Sequence, residues 1–177
     1  ATQLDVTERT QAELKNSQLY RLYATLSQVN QTIVRVISEA ELFEAACRLA
    51  VEFGEFRLAW IGLYDPANGV VSPVAASKNL DLTPINILEG DHREGLIGMA
   101  LRTGAITHSS GARADAARPW GESSAVDYQA CAVVPLRRNQ QIVGLLALYA
   151  ADASFFSFPE EVRLLEEMGL DLSHALD

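Results

Sequence analysis

The chain has 177 residues, a net charge of -9, and 49% hydrophobic against 21% charged residues. That is one domain's worth of chain, able to bury a core without disulfides or metal. Its uncharged apolar runs stop far below the roughly 18 to 20 residues that span a bilayer, which excludes membrane insertion in this segment. The acidic balance argues against a nucleic-acid surface, because the one adjacent basic pair, Arg137-Arg138, reads as a solvated turn.

The first 37 residues lack Gly and Pro and carry Leu19, Leu22, Leu26, Val29, Ile33 and Val36 at alternating spacings of three and four. Such a seam suits a helix pairing with a partner helix; equally, it suits a helix covering one face of the domain's own sheet. Ser38 with Glu41 forms a capping box, and Leu42, Phe43, Ala46, Leu49, Ala50 and Phe53 continue at helical spacing, so a second helix is expected from Glu39 to Phe53, stopped by Gly54. The period then changes. Phe56 to Tyr64 and Val70 to Ser77 read as strands joined by the turn Asp65-Pro66-Ala67-Asn68-Gly69.

From Leu80 to Arg93 the chain is polar, with one helical turn expected at Ile85 to Glu89. Gly95 to Gly104 reads as a short glycine-ended helix and Ala105 to His108 as a strand. Ser109 to Glu122 is small, polar and punctuated by Gly111, Pro119 and Gly121, a long loop of the kind that binds or covers a ligand. A second hairpin follows from Tyr128 to Ala150, apolar on both faces of its second strand and so expected to be the sheet's central pair, and Pro135 is expected to mark a bulge or strand end. Phe158-Pro159-Glu160-Glu161 opens a last helix with Val162, Leu165, Met168, Leu172 and Ala175 on one stripe. Hairpin connections with segregated helices give an α+β fold on an antiparallel sheet.

Catalytic signatures are scarce: no Walker loop, no GxGxxG after a strand, no GxSxG, no HExxH. His92, His108 and His174 are too scattered to suggest a metal site. Cys47 and Cys131 sit in apolar surroundings and read as core thiols of a reduced, cytoplasmic protein, with Cys131 as a nucleophile the weaker reading.

The order and spacing of WIGLYDPANGVVSPVAAS, GLIGMALRTGAI, AVVPLRRNQQIVGLLALYA and FFSFPEEVRLLEEMGLDLSHAL resemble the GAF domain, a small-molecule sensor module of signalling proteins, over roughly residues 40–177. The resemblance implies a central antiparallel sheet of five or six strands, end helices on one face, and short helices and loops around a pocket on the other (GAF/PAS-like). It divides the chain into a dimerisation helix over residues 1–37 and the GAF-like domain over residues 38–177. It also implies a noncatalytic regulatory part of a longer signalling protein, binding an unidentified molecule and relaying through the end helices to an attached output domain. The homodimer would form through Leu19, Leu22, Leu26, Val29, Ile33 and the C-terminal helix. A ligand-free structural dimerisation module and a cysteine-dependent redox enzyme are the alternatives.

The family's ligand motifs are not matched. Lys78-Asn79 reverses the Asn-Lys pair of cyclic-nucleotide binders, neither cysteine stands where bilins attach, and the loop cysteines of the methionine-sulfoxide-reducing members are missing. By loop position and residue type the pocket candidates are His108, Arg113, Trp120 and Tyr128, with Trp60 and Met99 as apolar lining. No cofactor is assigned.

Overall fold

The computed structural model describes residues 3–78, 82–89, 93–110 and 127–177. Helix α1 (Gln3–Ile33) turns into α2 (Glu39–Gly54) where the amides of Arg35 and Val36 donate to the Thr32 carbonyl. Ser38 Oγ accepts from the Glu41 amide at 3.2 Å, as the sequence predicts, while the Glu41 carboxylate reaches back to the Ile37 amide, one residue beyond the usual capping box. The helix stops on Glu55, which takes the left-handed conformation at φ 57°, rather than on Gly54.

Six strands follow: β1 (Leu58–Asp65), β2 (Val70–Ala76), β3 (Ile85–Asn86), β4 (Thr107–Ser110), β5 (Ala130–Arg138) and β6 (Gln141–Ala150). Helix α3 (Leu96–Thr103) lies between β3 and β4, and α4 (Pro159–Leu176) comes last. Every pairing is antiparallel, in the order β3-β2-β1-β6-β5-β4. The expected α+β class is therefore what the chain adopts.

Three local expectations change. Ile85 and Asn86 pair with Val71 and Val70 as a short strand instead of forming a helical turn. The strand expected at residues 105–108 lies at residues 107–110, taking in the first two residues of the predicted loop; its remainder from residue 111 through 122 lies outside the described residues. The central pair is β1 with β6, which places β5 one position further out.

Pairing explains why β6 is apolar on both sides. Leu146, Leu148 and Ala150 join α1, α2 and α4 in one buried cluster, and Leu145, Ala147 and Tyr149 join α3 in a second. Opposite Leu136 and Arg137 stand Gly144 and Ile142, so Val143 is an extra residue and the strict alternation slips there. Pro135 is not at this bulge; it pairs with Leu145 inside β5. Beyond Val133 no β4 residue pairs with β5, so among the described residues that side of the strand is an edge, where a residue without an amide hydrogen is tolerated. Asn139 and Gln140 both have positive φ (52° and 70°), the conformation of a tight two-residue hairpin turn.

Two expectations about surfaces are corrected. Leu22, Leu26 and Val29 of the seam are buried in this chain's own core against α2, α4 and the sheet, while Leu19 and Ile33 are only partly buried. Of the two readings of the seam, cover for the domain's own face is the one the packing follows. Arg137 and Arg138 are not a solvated turn either: Arg137 bonds the Gly104 carbonyl, and Arg138 bonds the Leu176 carbonyl at 3.2 Å and pairs with Glu39. The turn is thus fastened to the ends of three helices. Among the described residues no helix is long and apolar enough to cross a membrane.

Candidate functional site

Antiparallel partners share a face, so the ladder can be followed as rows across the sheet. On the side away from α1, α2 and α4, one row runs Leu58, Tyr149, Cys131, Ser109 through β1, β6, β5 and β4. The next runs Trp60, Ala147, Val133, Thr107. A methyl group at Ala147 leaves room for the Trp60 indole beside it, and the indole Nε1 donates to Tyr149 Oη at 3.0 Å. The Tyr149 hydroxyl in turn bonds the Cys131 thiol, and the Tyr128 ring stands edge-on to Tyr149 with centroids 5.0 Å apart at 70°. This gives a buried polar chain from Trp60 through Tyr149 to Cys131.

Helix α3 roofs the rows. Leu96, Ile97, Ala100 and Leu101 belong to the same cluster as Trp60 and Tyr149, with Ile85 and Ile87 at its far side. Thr107 Oγ1 donates to the Leu96 carbonyl at 2.7 Å and ties β4 to the start of the helix. Burial dominates the electrostatics here. It pushes the Cys131 thiol up to about 12 against the opposing effect of the Tyr149 hydroxyl, and it pushes the Tyr149 phenol well above its ordinary value. A thiol so shifted is almost wholly protonated at neutral pH and a poor nucleophile. Cys47 is likewise raised to about 12, first by burial and then by the charge of Glu44. The two cysteines are free and lie in the clusters on opposite sides of the sheet.

The predicted pocket residues separate in this arrangement. Trp60 and Tyr128 come together in the second cluster. Met99 is 39% exposed on the outer side of α3, away from the rows. His108 pairs with Ala132, whose side chain belongs to the helix-side cluster, so His108 is on the wrong face of β4 for the rows and is exposed. Arg113 and Trp120 lie outside the described residues. Sequence reasoning passed over Thr107 and Ser109 and reads Tyr149 only as a core residue of its strand, which its burial bears out. The alternation of Thr107 and Ser109 against His108 and Ser110 carried the signal, but only with the register against Cys131 and Val133 known. Among the described residues no three His, Cys, Asp or Glu side chains gather as metal ligands.

A family model described as GAF domain matches residues 36–177. No curated protein matches the chain. Among solved structures, the free methionine-R-sulfoxide reductase of Neisseria meningitidis in complex with its substrate is similar at TM-score 0.71 and 15% identity, over 88% of this chain and 87% of that one. The GAF domain of an Acinetobacter phosphoenolpyruvate-protein phosphotransferase is similar at TM-score 0.68 and 20% identity, over 86% and 90%. Residues 122 to 287 of a methyl-accepting chemotaxis protein are similar at TM-score 0.65 and 16% identity, over 84% and 94%. These identities bear on the fold alone. They overturn the expectation that the chain is not an enzyme: the reductases show that this fold carries catalysis as well as regulation, so the lack of a familiar catalytic motif does not decide the matter.

Proposed function

The chain belongs to the GAF domain family, and from that premise we propose that it is a regulatory domain of a larger signalling protein, taking a small molecule on the Trp60 side of the sheet. The observation that carries this reading is the chain Trp60–Tyr149–Cys131. A face needed only for stability is filled most simply by aliphatic side chains, whereas three hydrogen-bonding groups buried side by side are characteristic of a site that orients a ligand. Thermal-shift screening of the purified chain against nucleotides, haem and small metabolites tests it. A saturable rise in melting temperature that is lost in Tyr128→Ala supports the reading, and silence across all classes removes it.

The relay belongs to α1 and α4, which pack together and are joined by Lys15 and Glu160 at 3.0 Å. Since the seam is spent internally, a second copy of the chain would meet the outer side of this pair. There Tyr20 and Tyr23 are 73% and 62% exposed and, with Leu19 and Leu164, flank a groove of about 420 Å³. Glu160 and Arg163 border the same groove, and opposite charges on one patch suit a two-fold contact in which each meets its counterpart. Sedimentation of Tyr20→Glu/Tyr23→Glu against the parent tests this: the parent self-associates and the variant does not.

One observation favours the structural-module reading. Trp60, Tyr128 and Tyr149 are each at most 2% exposed, so their groups satisfy one another in a closed arrangement. The thermal-shift screen separates the two readings.

A further inference from the structure

Arg137 stands at the bulge near the end of β5, past Val133, the last residue that β4 pairs. Its backbone amide donates to Ser173 Oγ on α4 at 2.9 Å, and its guanidinium donates to the carbonyl of Gly104, the residue that ends α3. Gly104 leaves room for the guanidinium: a Cβ built there would stand 2.6 Å from Arg137 Nη2 and make it shift, and the φ of +75° also favours glycine. Ser173 is buried. Helix α3 belongs to the Trp60 side and α4 to the other, yet Arg137 bonds both. It does so at the edge of β5 that β4 leaves uncovered beyond Val133.

A cleft of about 340 Å³, bordered by Gly104, Ile106, Pro135, Glu166, Gly169 and Leu170, separates the end of α3 from α4. Arg138 and Asn139 also bond the end of α4, through the Leu176 carbonyl and the Asp177 carboxylate, but neither reaches α3. We infer that Arg137 is a coupling residue: a displacement of α3 on the Trp60 side is passed through its guanidinium and backbone amide to Ser173 and the last turns of α4. This goes beyond the proposed function, because it concerns how the two layers are joined, whatever binds.

A coupling is shown by its loss when the link is cut, and not by the bonds alone. Leu101→Ala loosens α3 from its cluster without touching α4. Hydrogen exchange is then read at the amides of residues 168–173 in parent and Leu101→Ala, each with Arg137 intact, as Arg137→Met, and as Arg138→Met. With Arg137 intact, Leu101→Ala speeds exchange in α4 by about fivefold or more, the lower end of ordinary coupling energies. In the Arg137→Met background the α4 response disappears while the α3 response stays, and Ser173→Ala gives the same result from the other end. In the Arg138→Met background the α4 response persists. An α4 response that is absent in the parent, unchanged in Arg137→Met, or equally lost in Arg138→Met overturns the inference. Should Leu101→Ala not fold, Ile97→Val loosens the same helix more gently and is read in the same way.

Discussion

On one side the sheet meets Leu22, Phe43, Leu165, Met168 and Leu172, apolar side chains drawn from three helices, while on the other it carries Trp60, Tyr128, Cys131 and Tyr149 under the short helix α3. The first side answers chiefly to volume, with direction added only where the rings of Phe56, Phe155 and Phe156 stack and meet edge-on. The second answers to direction, since the indole, the phenol and the thiol each need their neighbour in place. Removing one polar group from the second side therefore strands its neighbour, which removing a methylene from the first does not.

The strongest way to break that contrast is to attack volume on the helix side. Leu22 is completely buried, and Leu22→Ala should cost about 2–5 kcal/mol in urea unfolding, as cavity formation in a core does. A loss near zero would mean that α1 is an appendage of the domain and no part of its core. The second attack is on direction. Trp60→Phe and Tyr149→Phe each remove one polar group of the buried chain and should cost about 1–3 kcal/mol. The double variant should fall short of the sum by about 0.5 kcal/mol or more, because the second substitution no longer strands a partner. Strict additivity would put the two faces on the same footing.

The helix side was largely legible in the sequence, and the other was not, for a physical reason. Three-four spacing in residues 19–36, the capping residue Ser38 and Pro159 at the start of α4 act within one helix, so they are readable without knowing any partner. The rows on the other side join residues from strands far apart in the chain. Leu58 meets Tyr149 across 91 positions, and nothing local in His108 tells which face it takes. Residue type drew attention to His108 and Met99, while the register selected Thr107, Ser109 and Tyr149. The bulge at Val143 shows the same limit, since alternation along β6 is correct only up to the point where the pairing slips.

A smaller effect sharpens the comparison at the margin of the helix side, where polar atoms are also buried. Glu161 is inaccessible to solvent; one of its carboxylate oxygens accepts from the Phe158 amide at 3.1 Å and the other has no partner. Burial raises its pKa from 4.5 to about 7, against the amides of Phe158 and Phe156, which favour the charged form. Because the folded value lies above the unfolded one, the folded chain holds a proton that the unfolded chain releases between these two pH values. This group's contribution to stability therefore falls as pH rises from about 5 to 7 and is flat above. Glu161→Gln removes that slope and should stabilise the domain at pH 8 by on the order of 1 kcal/mol. Urea titrations at several pH values check the sign; a parent whose stability rises over the same interval with a slope Glu161→Gln abolishes would reverse it.

The smallest effect concerns the thiols, one on each side of the sheet. Both are raised to about 12 and both are buried, so at pH 8 neither should react with a thiol reagent faster than the domain opens. Equal protection would follow from burial alone. The surroundings differ, however: Cys47 lies on α2 in the helix-side cluster, while Cys131 bonds a phenol that also holds Trp60. Tyr149→Phe should therefore speed labelling of Cys131 more than that of Cys47, measured by mass spectrometry on the separated peptides. If both rates rise by the same factor, the substitution has only lowered global stability, and the polar chain does not hold its own side of the sheet closed.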